Sequence, residues 1–189
     1  MNPVEMIAAA AGLLCVWLVT RQSILCWPVG LVQVTLYVWV FYEAKLYSDV
    51  LLHMIYIVLQ CYGWYYWLGG GRDAEPPPVT QLSSVGVGIW LLVGATGTAV
   101  LGLTMAGLTD AALPAWDAGI AVFSLVAQVL LARKVLENWF VWIGVDTVAI
   151  GVYSVKGLYL TAGLYAVFLG LCVIGLTEWR RALRAGAPA

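Results

Sequence analysis

The stretch ENWFVWIGVD, residues 137–146, combines residue types that could bind a flat cation. Trp142 follows Trp139 by three positions and Asp146 follows by four more, so all three share one face of a helix. A tryptophan face attracts a cation by about 0.5–2 kcal/mol, and a carboxylate supplies the opposite charge. The pattern therefore predicts a clamp for a positively charged aromatic ring.

The composition indicates the surroundings of this carboxylate. Apolar residues make up 63% of the 189 residues, and charged residues only 10%, whereas soluble domains carry about 25% charged residues. A membrane helix needs about 20 apolar residues. We predict an all-α integral membrane protein, with residues 1–189 forming a single transmembrane domain of seven helices. The predicted spans are 4–20, 24–42, 49–68, 84–106, 115–132, 138–155 and 158–177.

Several functional classes are excluded by missing motifs. The sequence has one histidine and no HExxH, GxSxG or phosphate-loop motif, so we expect neither an enzyme nor an ATP-driven pump. We expect no cofactor, no catalytic residue and no nucleic-acid partner. The four cysteines show no CxxC spacing, which argues against a metal site or disulfide framework; we interpret them as small packing residues.

Lysine and arginine are distributed unequally between the two sides of the predicted topology. One side carries only Lys45 and Lys156. The positive-inside rule places the more basic side in the cytoplasm, so we expect the N-terminus outside and the basic tail, residues 180–189, inside. The basic residues of the predicted cytoplasmic side are Arg21, Arg72, Arg133, Lys134, Arg180, Arg181 and Arg184.

The chain contains an internal repeat. Residues 5–67 align without a gap with residues 117–179. Each repeat spans the membrane three times, and the one span within the linker region, residues 68–114, keeps the second repeat parallel to the first. The sequence thus predicts a 3+1+3 arrangement, in which a substrate binds near the midplane between the repeats. Identical pairs include Arg21 with Arg133, Trp27 with Trp139, Gly63 with Gly175 and Trp67 with Trp179.

Polar side chains lie near the middle of three predicted spans. Because a helix rises about 1.5 Å per residue, Asp146, Gln33 and Gln60 share one depth. His53 and Tyr56 lie on the helix face of Gln60. Polar groups inside a bilayer tend to face a cavity or one another. The predicted substrate site, with no metal ion, consists of Trp142, Asp146, Trp139, Gln33, Gln60, Tyr56, His53, Asn138 and Tyr37.

These residues also have structural interpretations. Gln33 and Gln60 could form interhelical hydrogen bonds, worth about 0.6–2 kcal/mol, and Asp146 could bind to either of them. His53 could relay protons or simply bond to a neighbour, and tryptophans near span ends form belts in many membrane proteins. An unpaired carboxylate at the midplane costs at least about 2.5 kcal/mol, and no Lys or Arg lies at its depth. We therefore prefer a cationic substrate.

Several motifs resemble the PnuC-type vitamin transporters over residues 5–181. They are ENWFVWIGVD, LPAWDAGI, ARK at 132–134, KGLYLTAGLY and YGWYYW. The resemblance implies a SWEET-like fold in the bacterial inner membrane. It also implies facilitated diffusion of a B-vitamin precursor, which a cytoplasmic kinase then traps. The WxxW motif of the family matches Trp139 and Trp142.

The resemblance implies nicotinamide riboside as the first expected substrate. Thiamine, carried by the related PnuT proteins, is the alternative, since both molecules carry a cationic ring. A SWEET-type sugar carrier is less favoured, because a sugar offers no cation to Asp146. The sequence departs from nicotinamide riboside carriers, which tend to have asparagine at the positions of Asp146 and Gln33. Besides the lipid bilayer, a second copy of the chain is a possible partner.

Overall fold

A computed structural model describes residues 3–43, 45, 47–69, 76–108 and 113–186. Each of the seven predicted spans is a helix in it. The helices are α1 (Pro3–Thr20), α2 (Cys26–Glu43), α3 (Tyr47–Trp67), α4 (Ser84–Leu108), α5 (Pro114–Ala132), α6 (Asn138–Val155) and α7 (Tyr159–Ala185).

Four of these helices, α4 to α7, are long and apolar enough to cross a membrane. Among the described residues of the first repeat, Met6–Thr20 is a shorter apolar helix. Helix α3 carries the polar side chains of Asp49, His53 and Gln60. Helix α7 continues past its predicted end at 177, through the arginines of the predicted tail, to a left-handed Gly186. Parts of the predicted linker (70–75, with Arg72, and 109–112) and residues 187–189 of the tail lie outside the described residues.

Six of the helices form a closed ring. Neighbours pack in the order α1, α2, α3, α5, α6, α7 and back to α1, while α4, in the part of the chain that the structure describes, packs along α5 outside this ring. Among the described residues, the backbones of helices on opposite sides of the ring, such as α2 and α6, stay apart. The two seams at which the repeats meet are therefore α3 with α5 and α7 with α1.

The same tryptophan–glycine contact occurs in both repeats. The ring of Trp27 on α2 lies directly over Gly63 on α3, and the ring of Trp139 on α6 lies over Gly175 on α7. A Cβ atom at either glycine would overlap the indole ring. These two contacts occupy repeat-related positions, so the alignment of the two sequences corresponds to a shared packing pattern.

Four buried tryptophans, Trp27, Trp67, Trp139 and Trp179, form one cluster at an end of the ring that we call the tryptophan end. Trp67 lies edge-on to Trp27 at 5.2 Å between ring centroids, and Trp179 lies edge-on to Trp139 at 5.4 Å. The Trp67 and Trp179 rings are 6.0 Å apart. Aromatic pairs in such geometries contribute about 0.5–1.5 kcal/mol each beyond the area that they bury.

Two indole hydrogen bonds join the repeats at this end. Trp67 Nε1 donates to the carbonyl oxygen of Ala132 on α5 at 3.2 Å, which closes the first seam. Trp179 Nε1 donates to the carbonyl oxygen of Val19 on α1 at 3.0 Å, which closes the second. Each repeat thus supplies one donor and one acceptor to the other.

The turn between α5 and α6 covers the tryptophan cluster. The Lys134 side chain is 1% exposed, and its Nζ lies 4.5 Å from the centroid of the Trp67 ring. Burial lowers the pKa of the Lys134 ammonium group to about 8, and Cys26 acts in the opposite direction. The linker is fixed to this turn, because Thr80 N donates to Lys134 O and Leu136 N donates to Thr80 O, at 2.9 and 2.8 Å.

Acidic side chains mark the opposite end of the ring, which we call the aspartate end after Asp49 and Asp117. Asp117 lies in the first turn of α5 and accepts two hydrogen bonds from Lys156 Nζ, at 2.7 and 2.8 Å. This pair ties the start of α5 to the end of α6. Asp49 lies in the first turn of α3.

The glycine contacts predict a sharp difference between two positions of α7. Gly175→Ala should lower stability by about 1–3 kcal/mol, because the added Cβ overlaps the Trp139 ring. Gly170→Ala is the matched control, since a Cβ there meets open space and alanine favours a helix. Thermal unfolding in detergent measures both. Equal melting temperatures for the two variants would contradict this packing.

Candidate functional site

Asp146 is the carboxylate of the predicted site. It is 2% exposed, and it accepts a hydrogen bond from Cys172 Sγ on α7 at 3.3 Å. Neither ion pair among the described residues involves Asp146. A thiol is a weak, uncharged donor. The protein therefore provides this carboxylate with a hydrogen bond but with no opposite charge.

The two predicted glutamines occupy space that glycines leave open in the first repeat. Gln60 on α3 is 7% exposed and packs against Gly30 of α2. Gln33 on α2 is half-buried and packs against Gly12 of α1. Gln60 aligns with Cys172 in the repeat, so the partner of Asp146 and one predicted glutamine hold equivalent positions. This alignment is the sequence feature that could have placed Cys172 at the site, whereas the sequence analysis interprets the cysteines as packing residues.

His53, Tyr56 and Tyr37 lie together, toward the aspartate end. The His53 ring centroid is 5.6 Å from Tyr37, 4.9 Å from Phe41 and 5.8 Å from Tyr56. His53 Nδ1 lies 2.9 Å from the carbonyl oxygen of Asp49, and because a carbonyl can only accept, Nδ1 is the donor. The histidine is thus a member of an aromatic group on α2 and α3.

Trp139 and Asn138 lie in the tryptophan end rather than beside Asp146. The Trp139 ring covers Gly175, which is about one helical turn along α7 from the Cys172 partner of Asp146. Asn138 is 0% exposed, and its Nδ2 donates to the carbonyl oxygen of Val135 at 2.7 Å. Both side chains thereby hold the start of α6 in place, and a substrate role for them stays a prediction.

Trp142 has a different position from Trp139. It is half-buried and packs against the tryptophan cluster on one side. On the other side it packs against the apolar cluster that contains Val145 and Ile120. One turn of α6 separates it from Asp146. Of the two predicted tryptophans, Trp142 is the one whose ring is not enclosed by the Trp–Gly contact.

Two further residues near the site, Tyr165 and Ser124, are not among the nine predicted site residues. The Tyr165 ring lies 5.3 Å from Tyr153 and 6.0 Å from Phe168. Ser124 on α5 lies beside the hydroxyl of Tyr56 on α3, so this contact crosses a seam between the repeats. Tyr165 occupies the repeat-related position of His53, so the alignment of the repeats could have indicated it: both residues are aromatic, although they are not identical.

A groove of about 710 Å³ lies between α4, α5 and α6. Trp116, Phe123 and Phe140 are among its lining residues, and none of the nine predicted site residues is. Val145 lines this groove, whereas the next residue, Asp146, faces α7. The groove is therefore on the outer face of the ring and is separate from the carboxylate.

The arrangement suits binding rather than bond-making chemistry. In the described part of the chain, no three His, Cys, Asp or Glu side chains lie close enough together to hold a metal ion. Neither ion pair in the described part of the chain includes Asp146. The described ring interior offers a buried carboxyl group, amide groups and aromatic surfaces, and a carboxylate and aromatic faces together suit a flat cation.

Comparison with known proteins identifies relatives over nearly the whole chain. Residues 2–181 match the nicotinamide mononucleotide transporter family. The chain is 28% identical over 206 residues to the nicotinamide riboside transporter PnuC of Escherichia coli strain K12, covering 96% of this chain and 86% of that protein. It is 26% identical over 195 residues to the riboflavin/roseoflavin transporter RibM of Streptomyces davaonensis, covering 98% and 91%.

The fold also has a solved counterpart. The crystal structure of the vitamin B3 transporter PnuC matches with a TM-score of 0.78 and 29% identity, over 98% of this chain and 85% of that one. The resemblance to PnuC-type transporters is thereby confirmed, and so is the expectation that the chain is a transporter rather than an enzyme. The chain belongs to the nicotinamide mononucleotide transporter family and is a multi-pass protein of the inner membrane.

Proposed function

We propose that this chain carries nicotinamide riboside, a cationic precursor of vitamin B3, through the ring of six helices. The observation that carries the proposal is the buried Asp146 carboxylate, which no Lys or Arg of the described residues neutralises. A carboxylate at the midplane costs at least about 2.5 kcal/mol. The pyridinium of nicotinamide riboside supplies the missing positive charge, so binding of this substrate offsets that cost.

Neighbouring side chains suit the rest of such a substrate. The half-buried Trp142 ring offers a face on which a pyridinium can stack, and cation–π contact is worth about 2 kcal/mol or more when desolvated. The amides of Gln33 and Gln60 offer donors and acceptors for ribose hydroxyls. Trp139 and Asn138 then act by holding the start of α6 and thereby orienting Trp142.

Thiamine is the second candidate substrate. Its thiazolium ring carries the same charge as a pyridinium. The carboxylate at position 146, where nicotinamide riboside carriers tend to have an amide, favours a cation of either kind. Riboflavin, the substrate named for the relative RibM, has a neutral ring that would leave Asp146 without a counter-charge. A sugar would do the same.

The architecture that we propose is the SWEET-like 3+1+3 arrangement of two parallel repeats, in which α1, α2 and α3 also cross the membrane. These helices have 18, 18 and 21 residues, which at about 1.5 Å per residue approach the 30 Å of the hydrocarbon core. Matching turns support the repeat. The left-handed residues Gln22 and Lys134 are repeat-related, and so are Lys45 and Gly157.

Transport, in this proposal, runs down the concentration gradient, and a cytoplasmic kinase traps the product. Coupled proton transport would need a relay of ionisable side chains between the two ends. Asp146 and Asp49 with His53 are the described groups that could begin one. In the described part of the chain, the buried core of the tryptophan end consists mainly of apolar and aromatic side chains, with Lys134 as the buried basic residue among them.

Uptake into proteoliposomes tests the substrate and the energetics together. Labelled nicotinamide riboside should enter and level off at equal concentrations on both sides, while riboflavin and glucose should not enter. Thiamine uptake in place of nicotinamide riboside would select the second candidate. Failure of both cations to enter refutes the proposed function. Accumulation driven by a proton gradient and lost in His53→Ala would show symport instead.

Orientation gives a separate prediction. Arg21, Arg133 and Lys134 lie around the tryptophan end, whereas Lys156 at the aspartate end is neutralised by Asp117. The positive-inside rule then places the C-terminus in the cytoplasm and the N-terminus outside. Green fluorescent protein fused to the C-terminus should fluoresce, and alkaline phosphatase fused after Leu108 should be active. The reverse pair of results would overturn this orientation.

A further inference from the structure

Two aromatic triads lie between Asp146 and the aspartate end. In the first repeat the Phe41 and Tyr56 rings flank His53, with centroids at 4.9 and 5.8 Å. In the second repeat the corresponding positions hold three more aromatic rings. Tyr153 aligns with Phe41, Tyr165 with His53, and Phe168 with Tyr56.

The second triad has nearly the same geometry as the first. Its central ring, Tyr165, lies 5.3 Å from Tyr153 and 6.0 Å from Phe168. No identical residue links the two triads, so what both repeats keep is the aromatic character alone. Two equivalent groups of rings are therefore placed at one level of the ring of helices.

The triads meet in the ring interior and lead to Asp146. Tyr56 lies beside Ser124 across the seam and is close enough to Tyr165 to act on it electrostatically. Asp146 also acts electrostatically on Tyr165. Tyr153 is seven residues after Asp146, roughly 10 Å along α6. The aromatic level is thus an extension of the candidate site toward the aspartate end.

Asp49 gives the outer edge of this level a net negative charge. Its carboxylate is close enough to His53 and Tyr153 to act on both electrostatically. Asp117 is neutralised by Lys156, and the exposed Glu43 and Lys45 at this end carry opposite charges. Asp49 forms no ion pair with any Lys or Arg of the described residues. The tryptophan end differs, since its polar closure includes the cationic Lys134.

We propose that the two aromatic triads and Asp49 form a recruitment site, which binds the cationic substrate on its way to Asp146. The inference rests on the proposed function, because it requires a cationic substrate. Aromatic faces attract cations of any ring chemistry, and a carboxylate at a mouth with low-dielectric walls raises the association rate of an oppositely charged ligand. Asp49 is a positioning residue that acts before binding at Asp146.

The test is the association rate constant of nicotinamide riboside, measured by stopped-flow tryptophan fluorescence. Asp49→Asn should lower it by about three- to tenfold at low ionic strength, with little change in the dissociation rate constant. At 1 M salt, where the screening length is about 3 Å, parent and variant should converge. Asp49→Glu, which keeps the charge, should retain the parent rate.

Three controls make the outcome decisive. Glu43→Gln removes an exposed charge near the same end and should leave the rate unchanged. The neutral reduced form, dihydronicotinamide riboside, should associate equally with parent and Asp49→Asn. Tyr165→Leu should slow the association of cationic nicotinamide riboside and leave the association of the neutral dihydro form unchanged.

Two results separate the inference from the proposed function. If the parent binds the cation and Asp49→Asn associates at the parent rate, Asp49 only stabilises the first turn of α3 and the recruitment site is refuted. If the parent binds neither nicotinamide riboside nor thiamine, the proposed function itself fails.

Discussion

In the described part of the chain, the backbones of the two repeats approach each other along two seams, and a tryptophan hydrogen bond closes each seam at the same end. Trp67 donates to Ala132 and Trp179 donates to Val19, both within a cluster from which solvent is excluded. An indole N–H without a partner in an apolar environment is costly, so these bonds hold the repeats in one mutual position. Between the seams the backbones of opposite helices stay apart in the described part of the chain, so side chains such as Trp67 and Trp179 occupy the ring interior.

This constraint explains why polar groups can lie at the middle of the helices. A carboxylate facing lipid would have no compensation, but Asp146 faces α7 and a thiol inside the ring. The two ends of the ring also differ from each other. Its tryptophan end is tightly packed and basic, whereas its aspartate end is partly exposed and aromatic. A cationic substrate would therefore meet attraction at one end and a closed apolar barrier at the other.

Much of the fold followed from apolar length and from the repeat. The seven spans matched the helices because long apolar runs with polar turns admit little else in a bilayer. The end of α7 was missed, since arginines leave the hydrocarbon without ending a helix. Trp139 was predicted to sit with Asp146 because the two share a helix face. In the structure the Trp139 ring lies over Gly175 of α7, one turn from the Cys172 partner of Asp146, and a substrate role for Trp139 stays a prediction.

Partners across helices could not be predicted from one sequence. Cys172 beside Asp146, and Ser124 beside Tyr56, depend on how α7 and α3 rotate about their axes. Lys156 with Asp117 depends on the lengths of two helices and the turn between them. The aromatic triads were recoverable in principle, because the alignment of the repeats keeps ring character at three positions. A comparison that counts only identical residues misses these three aromatic pairs.

The proposed role of Asp146 is to bind the positive charge of the substrate. Its most direct test is the ratio of dissociation constants for nicotinamide riboside and its neutral dihydro form, measured by calorimetry in the parent and in Asp146→Asn. A hydrogen bond to a charged group is worth about 1.5–3 kcal/mol, or about tenfold or more in affinity. The parent should prefer the cation by at least that factor, and Asp146→Asn should lose the preference. An unchanged ratio in the variant would contradict the claim.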